Sequence, residues 1–224
     1  SITGSDAWID SACCCVESVI VGITVDPTSE DQTRIHVVER IAVVGSPGSG
    51  KSTVAKALSS RLGIPHLELD SVFHQPGWQA LPTDEFQGVV RTFTGRPAWV
   101  VDGNYTRLGI SDLVWPQADT VVWLDLPRWE TMRRVATRTF RRVLQGEQLW
   151  NGNRERWPGV VDPRPEHNIL LWTWIRYGRV RDEYAGRFED PKWSALRLFR
   201  LQSQAAIDEF VANMPSGPHV DSSP

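Results

Sequence analysis

The chain has 224 residues, 41% of which are hydrophobic, and its formal net charge is −3. This length fits one ordinary domain or a domain with an insertion, and the apolar content excludes a mainly disordered chain. The longest apolar run, Val19–Val25, is much shorter than the roughly 18 residues that cross a bilayer, and the acidic N-terminus is a poor secretory signal. We therefore expect a cytosolic protein without a membrane partner.

The two ends of the chain differ from the region between them. Residues 1–39 combine a mixed apolar stretch with a turn-rich run, and we treat them as an N-terminal extension of unknown role. Residues 215–224 are predicted to form a disordered tail. Three adjacent cysteines, Cys13 to Cys15, form neither a disulfide framework nor a C-x-x-C metal site. Residues 40–214 are predicted to form one domain.

Short apolar runs alternate with helical patterns from Arg40 onwards. The predicted strands are Ile41–Val44, His66–Leu69, Ala98–Val101, Thr120–Leu124 and Leu196–Leu201. The predicted helices are Ser52–Leu62, Thr83–Thr94, Trp129–Leu144, His167–Phe188 and Ser203–Met214. Strands that are apolar throughout are buried on both faces, as in a parallel sheet with helical crossovers. The predicted fold class is α/β, with a five-stranded parallel sheet flanked by helices.

Functional residues are expected at one edge of this sheet. Three predicted strands are followed by a carboxylate, namely Asp70, Asp102 or Asp125, and the first strand is followed by a glycine-rich loop. In open parallel sheets, ligands bind beyond the carboxyl ends of the strands. These residues therefore point to a single site.

The glycine-rich segment Gly45-Ser-Pro-Gly-Ser-Gly-Lys-Ser52 fits the pattern G-x-x-x-x-G-K-[ST]. Backbone N–H groups of such a loop bind phosphate oxygens, the lysine reaches the β- and γ-phosphates, and the final hydroxyl binds Mg²⁺. A strand precedes the motif and a helix follows it, as this mechanism requires. The predicted ATP-binding residues are Gly45, Pro47, Gly48, Ser49, Gly50, Lys51, Ser52 and Thr53.

Within the P-loop NTPases, the chain fits the small kinases best. It lacks the N-K-x-D motif of switch GTPases and is short for an AAA-type motor. The segment Trp99–Tyr105, followed by Ala118–Pro127, resembles adenylate kinases, whose third strand ends in D-G-F-P-R. A narrower resemblance, to bacterial adenylate-kinase-like proteins labelled DNA-topology-modulation-related, covers residues 40–214. It depends on the glycine loop, Leu69-Asp70 with His74 and Trp78, Asp102–Tyr105, Trp123–Asp125 and Leu149–Glu155.

This resemblance implies a P-loop kinase that uses ATP and Mg²⁺, and it suggests roles for several residues. Asp102 is the candidate that holds Mg²⁺ through water together with Ser52; Asp125 also resembles a Walker B carboxylate, but the resemblance favours Asp102. Asp70 is expected to bind or deprotonate the acceptor. The other predicted acceptor-site residues are His74, Trp78, Asn104 and Tyr105.

An arginine-rich insertion, predicted as a lid over residues 128–188, follows the fourth strand. Between Arg128 and Arg187 the chain has thirteen arginines and seven acidic residues. One helix face carries a stripe of arginines that would repel one another if unpaired, which suggests that an anion binds there. The stripe consists of Arg134, Arg138, Arg141 and Arg142. Arg138, Arg142 and Arg154, the last in a lid loop from Asn151 to Glu155, are the candidates for stabilising the transferred phosphate.

The sequence thus favours an ATP-dependent phosphotransferase that acts on a small acceptor, predicted to be a nucleotide or nucleoside. The competing hypothesis is a nucleic-acid-associated NTPase whose arginine-rich insertion binds the phosphate backbone. The chain carries no DNA-reading motif and is negatively charged overall, so a nucleic-acid partner is possible but not favoured.

Overall fold

The structure is a computed structural model that describes residues 39–154, 162, 164 and 168–216. A sheet of five parallel strands lies at the centre of these residues. The strands of the described residues are β1 (Arg40–Gly45), β2 (His66–Glu68), β3 (His74–Gln75), β4 (Gln79–Ala80), β5 (Trp99–Asp102), β6 (Thr120–Leu124) and β7 (Arg197–Leu201). The sheet has the order β2-β5-β1-β6-β7, and β3 and β4 form a separate antiparallel hairpin. The α/β prediction with five parallel strands is confirmed.

Helices cover both faces of the sheet. Those of the described residues are α1 (Lys51–Leu62), α2 (Leu69–Phe73), α3 (Thr83–Thr94), α4 (Ile110–Val114), α5 (Arg128–Gln145), α6 (Ile169–Glu189) and α7 (Gln204–Asn213). None of them is long and apolar enough to span a membrane. Residues 1–38 and 217–224, which include the three cysteines and most of the predicted extension and tail, lie outside the described residues.

Two hydrophobic clusters, one on each face of the sheet, form the core. Because side chains alternate along a strand, Ala42 and Val44 of β1 face one cluster while Ile41 and Val43 face the other. The first cluster packs against α3, α4 and α6, and the second packs against α1 and α7. The strands therefore carry apolar residues at consecutive positions, and this is why their sequence pattern predicted buried strands.

The prediction that the second strand runs to Leu69 and ends in Asp70 is wrong. Strand β2 stops at Glu68, and Asp70 lies in the short helix α2. The pairing explains the early end, because Glu68 is opposite Asp102, the last residue of β5, so the ladder ends there. Ser71 Oγ then donates a hydrogen bond to the carbonyl oxygen of Glu68 at 2.7 Å. The turn into α2 brings Asp70 over the sheet edge.

Candidate active site

The phosphate-binding loop joins β1 to the first turn of α1. Gly48 and Gly50 have φ angles of 80° and 96°, in the left-handed region that favours glycine. The loop presents its backbone N–H groups at the N-terminus of a helix, which is a favourable place for an anion. All eight predicted ATP-binding residues lie on this loop and the first turn of α1: Gly45, Pro47, Gly48, Ser49, Gly50, Lys51, Ser52 and Thr53.

Lys51 is the central cation of the loop. Its Nζ donates a hydrogen bond to the carbonyl oxygen of Ser46 at 3.1 Å, so the side chain folds back over the loop. Burial lowers the pKa of Lys51, while the carboxylates of Asp70 and Asp102 act in the opposite direction and the Arg138 guanidinium reinforces the lowering. Lys51 thus lies near both predicted carboxylates and near the predicted lid arginine.

Ser52, Asp102 and Glu68 form a cluster of oxygen atoms beside Lys51. Ser52 Oγ lies 2.6 Å from Asp102 Oδ2 and 2.9 Å from Glu68 Oε1. The hydroxyl has one proton for two carboxylates, so the cluster has more acceptors than donors. Hard oxygen ligands in such a cluster suit Mg²⁺, which is commonly held by one or two carboxylates, waters and substrate phosphates. The residues present therefore fit the predicted metal ion, with Ser52 and Asp102 in the places that the sequence indicated.

The sequence analysis missed Glu68, which belongs to this cluster, and His66, which lies next to it. Both lie on β2, and Asp102 is on the adjacent strand β5. His66 Nε2 lies 3.0 Å from Asp102 Oδ1, and the Asp102 side chain is only 2% exposed. The imidazole therefore helps to fix the carboxylate that faces Ser52. The parallel pairing of β2 with β5 is the only signal for this arrangement, and it is not visible in the sequence.

Asp70, one of the predicted acceptor residues, also lies near Lys51 and contacts a second predicted acceptor residue. Tyr105 donates a hydrogen bond from its hydroxyl group to Asp70 Oδ1 at 2.7 Å. Burial raises the pKa of the Tyr105 hydroxyl, and the Asp70 carboxylate raises it further, so the tyrosine stays protonated and acts as the donor. Burial also lowers the pKa of His74, partly offset by Asp70. The His74 ring contacts Trp78 edge-on, with 5.4 Å between ring centroids.

Asn104, another predicted acceptor residue, contacts the phosphate loop. Its Oδ1 accepts a hydrogen bond from the Gly45 N–H at 3.2 Å, and its Nδ2 donates to the Gly45 carbonyl oxygen at 2.9 Å. The side-chain amide is therefore used to hold the start of the phosphate loop. A direct contact of Asn104 with the acceptor stays a prediction.

Helix α5 crosses the phosphate loop. A Cβ atom added to Gly48 would lie 2.4 Å from Val135 Cγ2 and 2.7 Å from the carbonyl oxygen of Thr131, so the loop packs directly against the helix. Arg138 is one turn beyond Val135 and close enough to Lys51 to act on its pKa. The geometry therefore brings Arg138 to the phosphate side of the site.

Arginines of the stripe on α5 have carboxylate partners, and anion binding at the stripe stays a prediction. Arg134 pairs with Glu130, four residues earlier on the same helix, and donates to Gln204 Oε1 at 2.7 Å. Arg141 and Arg142 lie 3.8 and 3.7 Å from the carboxylate of Glu147, beyond the end of the helix. Carboxylates distributed along and after the helix thus neutralise much of the stripe. The catalytic role of Arg142 stays a prediction.

The described part of the lid loop, 151–154, and the preceding Trp150 contact predicted acceptor residues. Asn151 Nδ2 donates to the carbonyl oxygen of His74 at 2.6 Å, and Asn153 Oδ1 accepts from the Trp78 N–H at 3.0 Å. The Trp150 ring stacks on His74 with a centroid distance of 5.9 Å. Arg154 lies at the base of this loop, with NH1 4.0 Å from a Cβ position on Gly146. Its predicted catalytic role is not tested by this position.

Asp125, the alternative Walker B carboxylate, forms ion pairs with arginines of two other elements, α6 and β7. Arg200 NH2 donates to Asp125 Oδ2 at 2.6 Å, and Arg181 Nε lies 3.1 Å from Oδ1. The Asp125 side chain is 3% exposed. It therefore joins the end of β6 to α6 and β7, and its carboxylate is already engaged by two cations.

Comparison with known proteins identifies the family. No family model matches the chain. A shikimate kinase of Mycobacterium avium is 31% identical over 121 residues, which are 48% of this chain and 68% of that relative. The chain belongs to the shikimate kinase family. A second shikimate kinase, of Thermobifida fusca, is 28% identical over 116 residues, which are 46% of this chain and 67% of the relative.

A solved member of the shikimate kinase family has the same fold. This is the shikimate kinase of Acinetobacter baumannii in complex with shikimate, with a TM-score of 0.50 and 18% sequence identity. The match covers 78% of this chain and 89% of the solved chain. At this identity, the likeness supports the P-loop fold alone.

Family membership gives the class of reaction. The protein is a small P-loop kinase, an ATP-dependent phosphotransferase that uses ATP and Mg²⁺ and acts on a small acceptor. The narrower resemblance to the group labelled DNA-topology-modulation-related is not supported by these relatives. They also give no support to a nucleic-acid partner or to specificity of the nucleoside monophosphate kinase type.

Proposed function

We propose that the protein transfers the γ-phosphate of ATP to a hydroxyl group of shikimate. The curated relatives are shikimate kinases, and the solved neighbour holds shikimate. The observation that carries the proposal is the position of Asp70. Its carboxylate lies close enough to Lys51 to act on the pKa of that lysine, and it accepts a hydrogen bond from the Tyr105 hydroxyl.

A carboxylate in this position favours a hydroxyl acceptor over the nucleotide predicted from the sequence. A hydroxyl group must lose its proton as it attacks phosphorus, and a nearby carboxylate can accept that proton. The phosphate oxygen of a nucleotide monophosphate needs no such base. Its negative charge would also be repelled by Asp70 and by Glu68, both of which lie close enough to Lys51 to act on its pKa.

The proposed step is an in-line transfer. Asp70 takes the proton of the acceptor hydroxyl, the hydroxyl oxygen forms a bond to the γ-phosphorus, and the bond from that phosphorus to the β–γ bridging oxygen breaks to release ADP. Lys51 and Arg138 compensate the charge on the transferred group. Ser52 and Asp102 would hold Mg²⁺, which when bound neutralises charge on the β- and γ-phosphates.

Several residue roles and boundaries stay proposals. Arg142 and Arg154 are proposed to approach the phosphates when the lid, residues 128–188, closes over bound ligands. His74 and Trp78 are proposed to line the acceptor side. The domain boundaries at residues 40 and 214 and a cytosolic location are likewise retained from the sequence.

Replacement of Asp70 tests the proposed role of a base. Asp70→Asn keeps the shape and the hydrogen bond from Tyr105 but cannot take the proton, so kcat for shikimate should fall by about 10² to 10⁴. ATP binding should change little, because no hydrogen bond joins the Asp70 side chain to the phosphate loop among the described residues. Asp84→Asn, at an exposed position in the first turn of α3, is the matched control. Equal kcat values for the two variants would remove Asp70 from the mechanism.

A further inference from the structure

Tyr105 has an unusual backbone for a large residue. Its φ and ψ angles are 28° and 33°, in the left-handed region that residues other than glycine rarely adopt. Such a conformation is unfavourable and persists only when the surroundings fix it. The ring is held between Phe73 and Phe86, at centroid distances of 4.8 and 5.0 Å, and the hydroxyl bonds to Asp70. Three contacts thus fix this side chain.

The hydroxyl is directed at one oxygen of Asp70. Among the described residues, Tyr105 is the one hydrogen-bond donor to this carboxylate, and it reaches Oδ1. The bond therefore restrains the rotation of the carboxyl group, and Oδ2 has no hydrogen-bond donor among the described residues. The tyrosine ring itself is packed against Phe73 and Phe86, and its one polar atom is the hydroxyl that bonds to Asp70.

The neighbouring residue ties this arrangement to the phosphate loop. Asn104 bonds both backbone groups of Gly45, and its Oδ1 also accepts from the Tyr184 hydroxyl at 3.1 Å. Ser111 Oγ donates to the Asn104 carbonyl oxygen at 3.1 Å. Two consecutive residues, Asn104 and Tyr105, therefore contact the donor loop and the acceptor base respectively.

We propose that Tyr105 is a positioning residue that orients the Asp70 base from a backbone anchored to the phosphate loop through Asn104. In this role Tyr105 does not itself bind the acceptor. The proposal thus differs from the sequence prediction, which placed Tyr105 among the acceptor-binding residues. This inference rests on the proposed function, because it assumes that Asp70 acts on an acceptor hydroxyl. Loss of the hydroxyl should leave acceptor binding intact while the base is less well aimed.

The test is a double-mutant cycle on the full chain, with Tyr105→Phe, Asp70→Asn and the two combined. We expect Tyr105→Phe to lower kcat at least tenfold, because a misplacement of about 1 Å can cost about a hundredfold in rate. The KM values for ATP and shikimate should stay within about twofold. In the Asp70→Asn background the second change should have no further effect on kcat, since Tyr105 acts through Asp70.

Tyr177→Phe is the matched control. It removes another buried hydroxyl that donates a hydrogen bond, in this case to the carbonyl oxygen of Leu126 at 2.7 Å. The proposal would be overturned if Tyr105→Phe lowered kcat no more than Tyr177→Phe does. It would also be overturned if Tyr105→Phe lowered kcat by the same factor in the wild type and in the Asp70→Asn variant. If the wild type transfers no phosphate to shikimate, the proposed function fails. The same cycle on basal ATP hydrolysis, in which water replaces the acceptor hydroxyl, then tests Tyr105 separately.

Discussion

Replacing Gly48 with alanine tests the packing of the lid helix on the phosphate loop. The new Cβ atom would lie 2.4 Å from Val135 Cγ2 and 2.7 Å from the carbonyl oxygen of Thr131. The second contact is with helix backbone, which moves less easily than the end of a side chain. The residue would also have to keep a φ angle of 80°. We expect Gly48→Ala to destabilise the protein and to weaken ATP binding.

The size of the effect follows from these two terms. Overpacking costs about 1–3 kcal/mol, and a left-handed backbone costs an L-residue about 1–2 kcal/mol. Together they should lower the free energy of unfolding by about 2–5 kcal/mol. For a chain of this size, each kcal/mol lowers Tm by about 2–4 °C, so Tm should fall by about 4–20 °C.

Calorimetry of the full chain without nucleotide measures this shift. Gly88→Ala is the matched control, because its Cβ meets nothing within 4 Å and the residue lies inside α3. That variant should gain about 0.5–1 kcal/mol from the higher helix propensity of alanine. If Gly48→Ala is as stable as Gly88→Ala, the loop and α5 are not packed as described.

The remaining predictions concern single side chains of the site. Lys51→Ala should abolish ATP turnover with little loss of Tm, because the lysine faces phosphate and its removal leaves no core cavity; turnover within about tenfold of the wild type would contradict the phosphate-binding role. Arg138→Ala should lower kcat by up to about 10³, much more than it weakens ATP binding. Equal losses in kcat and in ATP affinity would show that Arg138 binds ATP in the ground state. The pKa of His74 lies below its usual value, so the folded state resists its protonation. The contribution of neutral His74 to stability should be complete above the unfolded-state pKa of about 6.5. It should be lost as the pH falls through the folded-state pKa. The variant His74→Gln should lack this part of the pH dependence of Tm. A His74 ring that titrates at or above 6.5 by NMR would refute this.

The central sheet was predictable because its signal is local. Strands buried on both faces must be apolar at successive positions, and Thr120–Leu124 was predicted with the bounds that the structure has. Helix α3 was also predicted with its observed bounds, Thr83–Thr94. The second strand was predicted one residue too long, to Leu69, because the position at which it ends depends on where its partner β5 ends. The β3–β4 hairpin was missed, since two-residue strands have no periodicity.

The candidate site divides in the same way. The phosphate loop is continuous in sequence, so its residues could be assigned from the motif alone. The contact of Ser52 with Asp102 could be expected because neighbouring parallel strands end at one edge. The roles of His66 and Asn104 could not, because each depends on which strand or loop lies opposite. Pairing of the lid arginines with Glu130 and Glu147 likewise depends on side-chain geometry that charge counting does not contain.

The identity of the phosphate acceptor is the most direct test of this account. The full chain should be incubated with ATP, Mg²⁺ and either shikimate or AMP at equal concentrations, and the transfer of γ-phosphate to each should be followed by phosphorus NMR. We expect one phosphorylated shikimate for each ADP released and no phosphorylated AMP. Phosphorylation of AMP, or release of ADP without phosphorylated shikimate, would contradict the central claim that Asp70 serves a shikimate hydroxyl.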